Sequence, residues 1–213
     1  MKILFDQVMP FPLSSMNHEP ISLWGREEVI NPSEYVLIKA VSGRGKSTLT
    51  GIISGTRKDF TGKVYFDGKD ISLFGMKEWQ LFRRDFVSVV YQDLQLFSRI
   101  SVIENLILKF TLNSTVLLDE LEDWLSIVGL QDKRNAICGT LSMGQQQRVA
   151  ILRALIQPFK CLLMDEPFSH LDEGNRLICS SLIHNQLKKN NAGMIVTSLD
   201  GIVELESHRM IQI

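Results

Sequence analysis

Tyr35-Val36-Leu37-Ile38-Lys39-Ala40-Val41-Ser42-Gly43-Arg44-Gly45-Lys46-Ser47-Thr48 is the run on which the reading of the chain turns. Its first six residues, introduced by Asn31-Pro32-Ser33, are an apolar stretch that reads as a buried strand, and Ser42-Gly43-Arg44-Gly45 stops it with a glycine-containing turn. From Lys46 to Ser54 the apolar residues Leu49, Ile52 and Ile53 fall at helical spacing, and Gly55 is placed to end the helix. Strand, loop and helix N-terminus in that order make a phosphate cradle. Backbone N–H groups across Ser42, Gly43, Arg44, Gly45 and Thr48 can surround an anion, which the helix dipole favours. Lys46 would reach the β and γ phosphates of a nucleotide, and the Ser47 hydroxyl would hold Mg²⁺. Gly45-Lys46-Ser47 alone is weak evidence; its place between a strand and a helix makes it strong. The pattern G-x-x-x-x-G-K-[ST] has one departure, Ala40 for the first glycine.

Working outward, Val64-Tyr65-Phe66 and Asp67-Gly68-Lys69 read as an antiparallel strand and turn, and Phe86 to Tyr91 as another strand. Val102 to Leu130 repeats apolar residues at helical intervals. Ser142 can cap a helix that runs through Gln157 until Pro158 stops it. Cys161-Leu162-Leu163-Met164 then reads as an interior parallel strand that delivers Asp165-Glu166-Pro167 at its C-terminal end. A helix around Leu177 to Leu187 and a strand at Met194-Ile195-Val196-Thr197 continue the alternation. Strands alternating with helices imply an α/β fold with a mostly parallel sheet covered on both faces and ligand at the strands' C-terminal ends. A carboxylate without a task is expensive at the end of a buried strand. Asp165 is therefore read as completing the Mg²⁺ shell and Glu166 as polarising the attacking water.

Composition limits the alternatives. With 213 residues, 45% hydrophobic and 22% charged, the chain is an ordinary globular one with no linker at which to divide it, so one domain over 1–213 is expected. A net charge of -1 gives no overall reason to expect nucleic acid as a direct ligand. Cys138, Cys161 and Cys179 lack metal-ligand spacing and read as reduced core thiols. No apolar run is long enough to span a bilayer, and Met1-Lys2-Ile3-Leu4-Phe5-Asp6 turns polar too early for a signal peptide.

Leu141-Ser142-Met143-Gly144-Gln145-Gln146-Gln147-Arg148-Val149 distinguishes among phosphate-loop families. It resembles the L-S-G-G-Q-[QE]-Q-R-V signature of the ATP-binding cassette ATPases, the nucleotide-driven subunits of membrane transporters. The resemblance spans nearly the whole chain and keeps the motif order. It implies a P-loop NTPase fold with a mostly parallel core sheet, an N-terminal antiparallel β portion and a helical subdomain from about Asp93 to Gln157. In that family the signature, here Ser142 and Gly144 with Gln145 beside them, meets the γ-phosphate of ATP held by the opposite subunit. Gln92 in Val90-Tyr91-Gln92-Asp93 is similar to the family's Q-loop glutamine, which touches Mg²⁺ and the water and moves with the membrane partner. Ser169-His170-Leu171-Asp172 resembles the loop that crosses the dimer interface.

The stretch Arg83 to Phe97 with Val102-Ile103-Glu104-Asn105-Leu106 most resembles the lipoprotein-releasing, macrolide-exporting and cell-division group. Leu94, Leu96, Phe97 and Ile100 either pack inside the helical subdomain or dock to a permease. The resemblance implies an ATPase with ATP and Mg²⁺ as cofactors, a homodimer or a heterodimer with a related cassette, and an integral membrane permease partner. It also implies a cytoplasmic place, peripheral on the inner face of the membrane.

Three departures from the family stand out: Ala40, Met143 for the first signature glycine, and Leu199. In Thr197-Ser198-Leu199-Asp200 the leucine occupies the place of the switch histidine that contacts the γ-phosphate. By position His208 is a poor substitute, and His18, His170 and His184 match no ligand role. Phe11, between Pro10 and Pro12, is nearest in spacing to the family's adenine-stacking aromatic, while Phe5 reads as a strand contact. Leu199 and Met143 motivate an alternative, a module that dimerises on ATP and gates a membrane partner with little hydrolysis. A small-molecule phosphotransferase would need an arginine-rich lid and no signature. A chromosome- or ribosome-associated cassette would need a long coiled coil or a second cassette.

Overall fold

The computed structural model describes residues 1–18, 21–39, 41, 43–112, 114, 116–199 and 204–213, so Ala40, Ser42 and Asp200 lie outside the described residues. In chain order the described strands and helices are β1 (Ile3–Pro10), β2 (Glu27–Ile30), β3 (Tyr35–Lys39), α1 (Lys46–Ser54), β4 (Phe60–Phe66), β5 (Lys69–Asp70), α2 (Met76–Asp85), β6 (Val87–Val90), α3 (Val102–Phe110), α4 (Leu118–Ile127), α5 (Met143–Ile156), β7 (Cys161–Asp165), α6 (Glu173–Asn190), β8 (Gly193–Ser198) and β9 (Arg209–Gln212).

Five strands form a parallel sheet in the order β6-β7-β8-β3-β9. Parallel neighbours need crossover connections, which cover both faces and make the strands apolar on both sides. In β7 all residues are buried. Leu162 and Met164 face the core under α3, α4 and α5, while Cys161 and Leu163 face a second core shared with α1 and the antiparallel strands. That alternation is the strand's two-residue period, here buried on both sides. The second sheet is antiparallel, in the order β2-β1-β4-β5. Phe5, wholly buried in the second core, pins β1 there. Asp67-Gly68 turns β4 into β5, both residues having positive φ, as a two-residue hairpin of right-handed twist requires.

Helix boundaries follow from local chemistry. Ser142 and Gln145 form a reciprocal capping box that starts α5. Val149, Ile151, Leu152, Leu155 and Ile156 of α5 are fully buried, each contributing about 1.5–3 kcal/mol of burial. A second capping box, Ser101 with Glu104, starts α3. α6 begins earlier than the apolar spacing predicts because the Asp172 carboxylate accepts from the Asn175 N–H at 2.8 Å. It ends where Asn191 turns left-handed with φ 47°. All three cysteines are buried, and desolvation pushes the Cys161 and Cys179 thiols up to about 12, so both remain protonated core side chains. Among the described residues no helix is long and apolar enough to cross a membrane.

Candidate functional site

Because β3, β6, β7 and β8 are parallel, the loops that follow them open at one edge of the sheet. The loop after β3 enters α1 through Gly45, whose φ of 104° is left-handed. A Cβ there would lie 2.6 Å from Leu13 and 3.0 Å from the Trp24 ring, so the residue is confined to glycine on two counts. No side chain caps α1, so the first-turn N–H groups of Ser47 and Thr48 are placed to meet a ligand. The loop is tied down from outside: the Trp24 indole N–H donates to the Arg44 carbonyl at 3.1 Å, and the Arg44 guanidinium donates to the Asn17 carbonyl at 2.9 Å. The Thr48 hydroxyl accepts from Arg57 at 3.1 Å.

Lys46 is 7% exposed, and its Nζ lies 3.2 Å from Glu166 Oε1. Glu166, just past β7, has φ 50° and donates its N–H to the Thr197 carbonyl at 3.1 Å, a backbone fold that turns its carboxylate toward α1. Asp165 is buried and accepts a hydrogen bond from the Thr197 hydroxyl. Gln92 is exposed in the loop after β6. A cavity of about 310 Å³ is lined by Gly43, Gly45, Lys46, Ser47, Thr48, Gln92 and Glu166 on one side and by Pro12, Leu13 and Met16 on the other. A neighbouring cavity of about 550 Å³ brings Ser47, Gln92 and Asp165 together with Arg57 and Tyr91. Phe11 is 57% exposed and lies outside both linings.

The segment after Gln92 is strained. Leu94 and Gln95 both have positive φ, 59° and 47°, and Arg153 of α5 donates to their carbonyls at 2.9 and 2.8 Å. Leu94 is buried and Leu96 packs against the helical core, whereas Phe97 is 58% exposed.

Ser142, Gly144 and Gln145 stand apart from these cavities, whose linings hold no residue of α5. The Ser142 hydroxyl accepts from the Gln145 N–H at 3.3 Å, and Gln145 Oε1 accepts from the Ser142 N–H at 3.0 Å. Met143 is 49% exposed. Gly144 lets α5 approach the Ser169–His170 turn: a Cβ would stand 2.7 Å from the His170 carbonyl. Gln147 makes that junction. Its amide donates to the Glu166 carbonyl at 3.1 Å and accepts from the His170 N–H at 2.8 Å, wholly buried. Sequence reasoning did not single it out, although a glutamine on the stripe that continues through Ala150, Ile151 and Ala154 was the available signal.

Leu199, directly after β8, is 42% exposed and lines a separate cavity of about 270 Å³ with Lys39, Arg44 and His18. His18 is held by the Leu13 carbonyl at 2.8 Å. His208 accepts from the Tyr35 N–H and stacks on its ring, 4.6 Å between centroids. Tyr35 begins β3, so His208 sits at the end of the sheet away from the phosphate loop. His170 pairs with the Ser169 hydroxyl, and His184 lies 6.2 Å from the Tyr35 ring.

A family model described as ABC transporter matches residues 27–169. The lipoprotein-releasing system ATP-binding protein LolD of Hahella chejuensis is 32% identical over 181 residues, 84% of this chain and 78% of that one. The aliphatic sulfonates import ATP-binding protein SsuB of Bacillus cereus is 31% identical over 171 residues, 80% of this chain and 64% of that one. Among solved structures, a dimeric post-hydrolysis state of the ATP-binding cassette MJ0796 bound to ADP and Pi aligns with a TM-score of 0.81 at 27% identity, covering 100% of this chain and 94% of the other.

Proposed function

The chain belongs to the ABC transporter family, and from that premise we propose that it binds and hydrolyses ATP as the cassette subunit of a membrane transporter or mechanotransmission complex. Two copies, or one copy and a related cassette, close around MgATP and drive a separate integral permease, which holds the chain at the inner face of the membrane. The observation that carries this reading is the meeting of Lys46, Ser47, Gln92, Asp165 and Glu166 on two adjoining cavities at one sheet edge. The signature's distance from those cavities supports a site completed by a second cassette. The post-hydrolysis dimer of MJ0796 supports the same assembly.

Within this reading each residue has a definite task. The first-turn N–H groups of α1 and the Lys46 ammonium bind the triphosphate. Ser47, Gln92 and Asp165 offer a hydroxyl, an amide oxygen and a carboxylate, the all-oxygen donor set that suits Mg²⁺. When bound, Mg²⁺ neutralises charge on the β and γ phosphates. Glu166, freed from Lys46, orients the water and takes its proton. Cargo and direction belong to the permease; the matched relatives' names include both a releasing system and an importer.

To test the partner, the tagged chain is isolated from detergent-solubilised membranes of its own host. An integral membrane protein is expected to copurify, and recovery of the chain only with water-soluble partners would overturn the reading.

Leu199 supports a second reading, an ATP-closed gating module with slow turnover. A leucine side chain can neither donate a hydrogen bond nor stabilise charge, and losing one such contact typically lowers a rate by about two to three orders of magnitude. Leu199→His is expected to raise hydrolysis at least about tenfold, roughly 1.4 kcal/mol in the barrier. Phosphate release by the natural assembly measures it; brisk wild-type turnover that the substitution leaves alone removes the support for slow gating.

A further inference from the structure

The backbone that aims Glu166 is held against its local preference. A non-glycine residue is seldom left-handed, and a residue followed by proline favours extended backbone. Glu166 has φ 50° and precedes Pro167. Such a conformation persists only where the surroundings over-determine it. Two contacts from other elements do so here. The Glu166 N–H donates to the Thr197 carbonyl of β8 at 3.1 Å, and the Glu166 carbonyl accepts from Gln147 Nε2 of α5 at 3.1 Å. The carbonyl's other donor, the Ser169 N–H at 3.3 Å, belongs to the turn itself and moves with it.

Gln147 is suited to that hold. Gly144, three residues earlier on the same face of α5, brings the helix close to the His170 carbonyl. Gln147 Oε1 accepts from the His170 N–H at 2.8 Å, and Nε2 also lies 3.4 Å from the Ser169 hydroxyl. With an N–H on one side and a carbonyl on the other, only this orientation of the amide pairs both. The side chain is wholly buried, so water does not take over its bonds if it is lost. It lines neither cavity of the site, and its contacts are with the protein. We propose that Gln147 is a positioning residue for hydrolysis: it fixes the left-handed backbone of Glu166, and thereby the direction of the carboxylate, and leaves nucleotide affinity to the phosphate loop. The proposal rests on the reading of Glu166 as the carboxylate that activates water.

The test uses the full chain in its natural assembly with two substitutions. Gln147→Met removes both hydrogen bonds, whereas Gln147→Glu still accepts from the His170 N–H but offers the Glu166 carbonyl no donor. Misplacing a reacting group by about 1 Å costs up to about a hundredfold in rate. Single-turnover phosphate release is therefore expected to slow by about ten- to hundredfold in both variants, with the dissociation constant for MgATP within about threefold of wild type. In a Glu166→Gln background no carboxylate is left to aim, so adding Gln147→Met is expected to change the residual rate by less than about twofold. Hydrolysis by Gln147→Glu within about threefold of wild type overturns the proposal. So does an equal fractional loss in both backgrounds, or a loss of affinity that matches the loss of rate, since either marks a junction that only supports the fold. If Gln147→Met melts below the assay temperature, the comparisons are made with Gln147→Glu, which keeps the bond to His170. Near-normal hydrolysis by Glu166→Gln alone removes the reading of Glu166 and this inference with it; slow Glu166→Gln beside fast Gln147→Glu removes only this inference.

Discussion

Glu166→Gln will keep MgATP bound, lower hydrolysis by about two to four orders of magnitude, the usual contribution of a positioned general base, and accumulate a closed dimer. Gln is nearly isosteric, so the left-handed backbone at Glu166 and its N–H bond to Thr197 persist. What disappears is the charge 3.2 Å from Lys46. The ammonium then meets the triphosphate without a competing carboxylate, so affinity holds or rises while water activation is lost. Phosphate release in steady state reads the first effect, and light scattering with MgATP, alone and with the permease, reads the second. Hydrolysis within a few-fold of wild type would sink the assignment of Glu166. A variant that binds ATP yet stays monomeric in every setting would sink the closure mechanism.

Lys46→Ala will weaken MgATP binding by about ten- to hundredfold, the range for losing hydrogen bonds to a charged group. The same change leaves Glu166, largely shielded from solvent, without its ion-pair partner. A buried charge deprived of its partner is strongly destabilising, so a loss of binding could reflect a loosened fold. Adding Glu166→Gln separates the two: the double variant should recover thermal stability but not affinity. Unchanged affinity in Lys46→Ala, measured by equilibrium titration, would remove the phosphate loop from the account.

The strand ends were legible because their signals are local. Gly45-Lys46-Ser47 and Asp165-Glu166 each follow an apolar run that forms a strand whatever else the chain does. β1 was obscured because its alternation breaks at Gln7, where φ is 49° and the pairing with β4 shifts register. β2, Glu-Glu-Val-Ile, is too short and polar to announce itself and forms because β1 pairs with it. α2 buries only Trp79 and Phe82, one turn of apolar spacing. The buried stripe of α5 marks Gln147 as unusual, but its partner, the turn at His170, is something no pattern within α5 reveals. The side of the N-terminal turn that faces the phosphate loop depends on the short 3₁₀ turn at Phe11–Leu13, which buries Leu13 and leaves Phe11 outside. Spacing alone carries no such rotation.

The grip of Arg153 on Leu94 and Gln95 makes α5 a lever. Ser142 and Arg153 are separated along it by about 16 Å at 1.5 Å of rise per residue. A pull on the strained segment that tilts the helix by about 10° would sweep its capped end through about 3 Å, on the scale of a hydrogen bond's whole reach. At that ratio, the contact proposed between Ser142 and a phosphate across a dimer would be made or broken rather than graded. In the proposed assembly with a permease, motion at the membrane side would then arrive at the nucleotide as a switch.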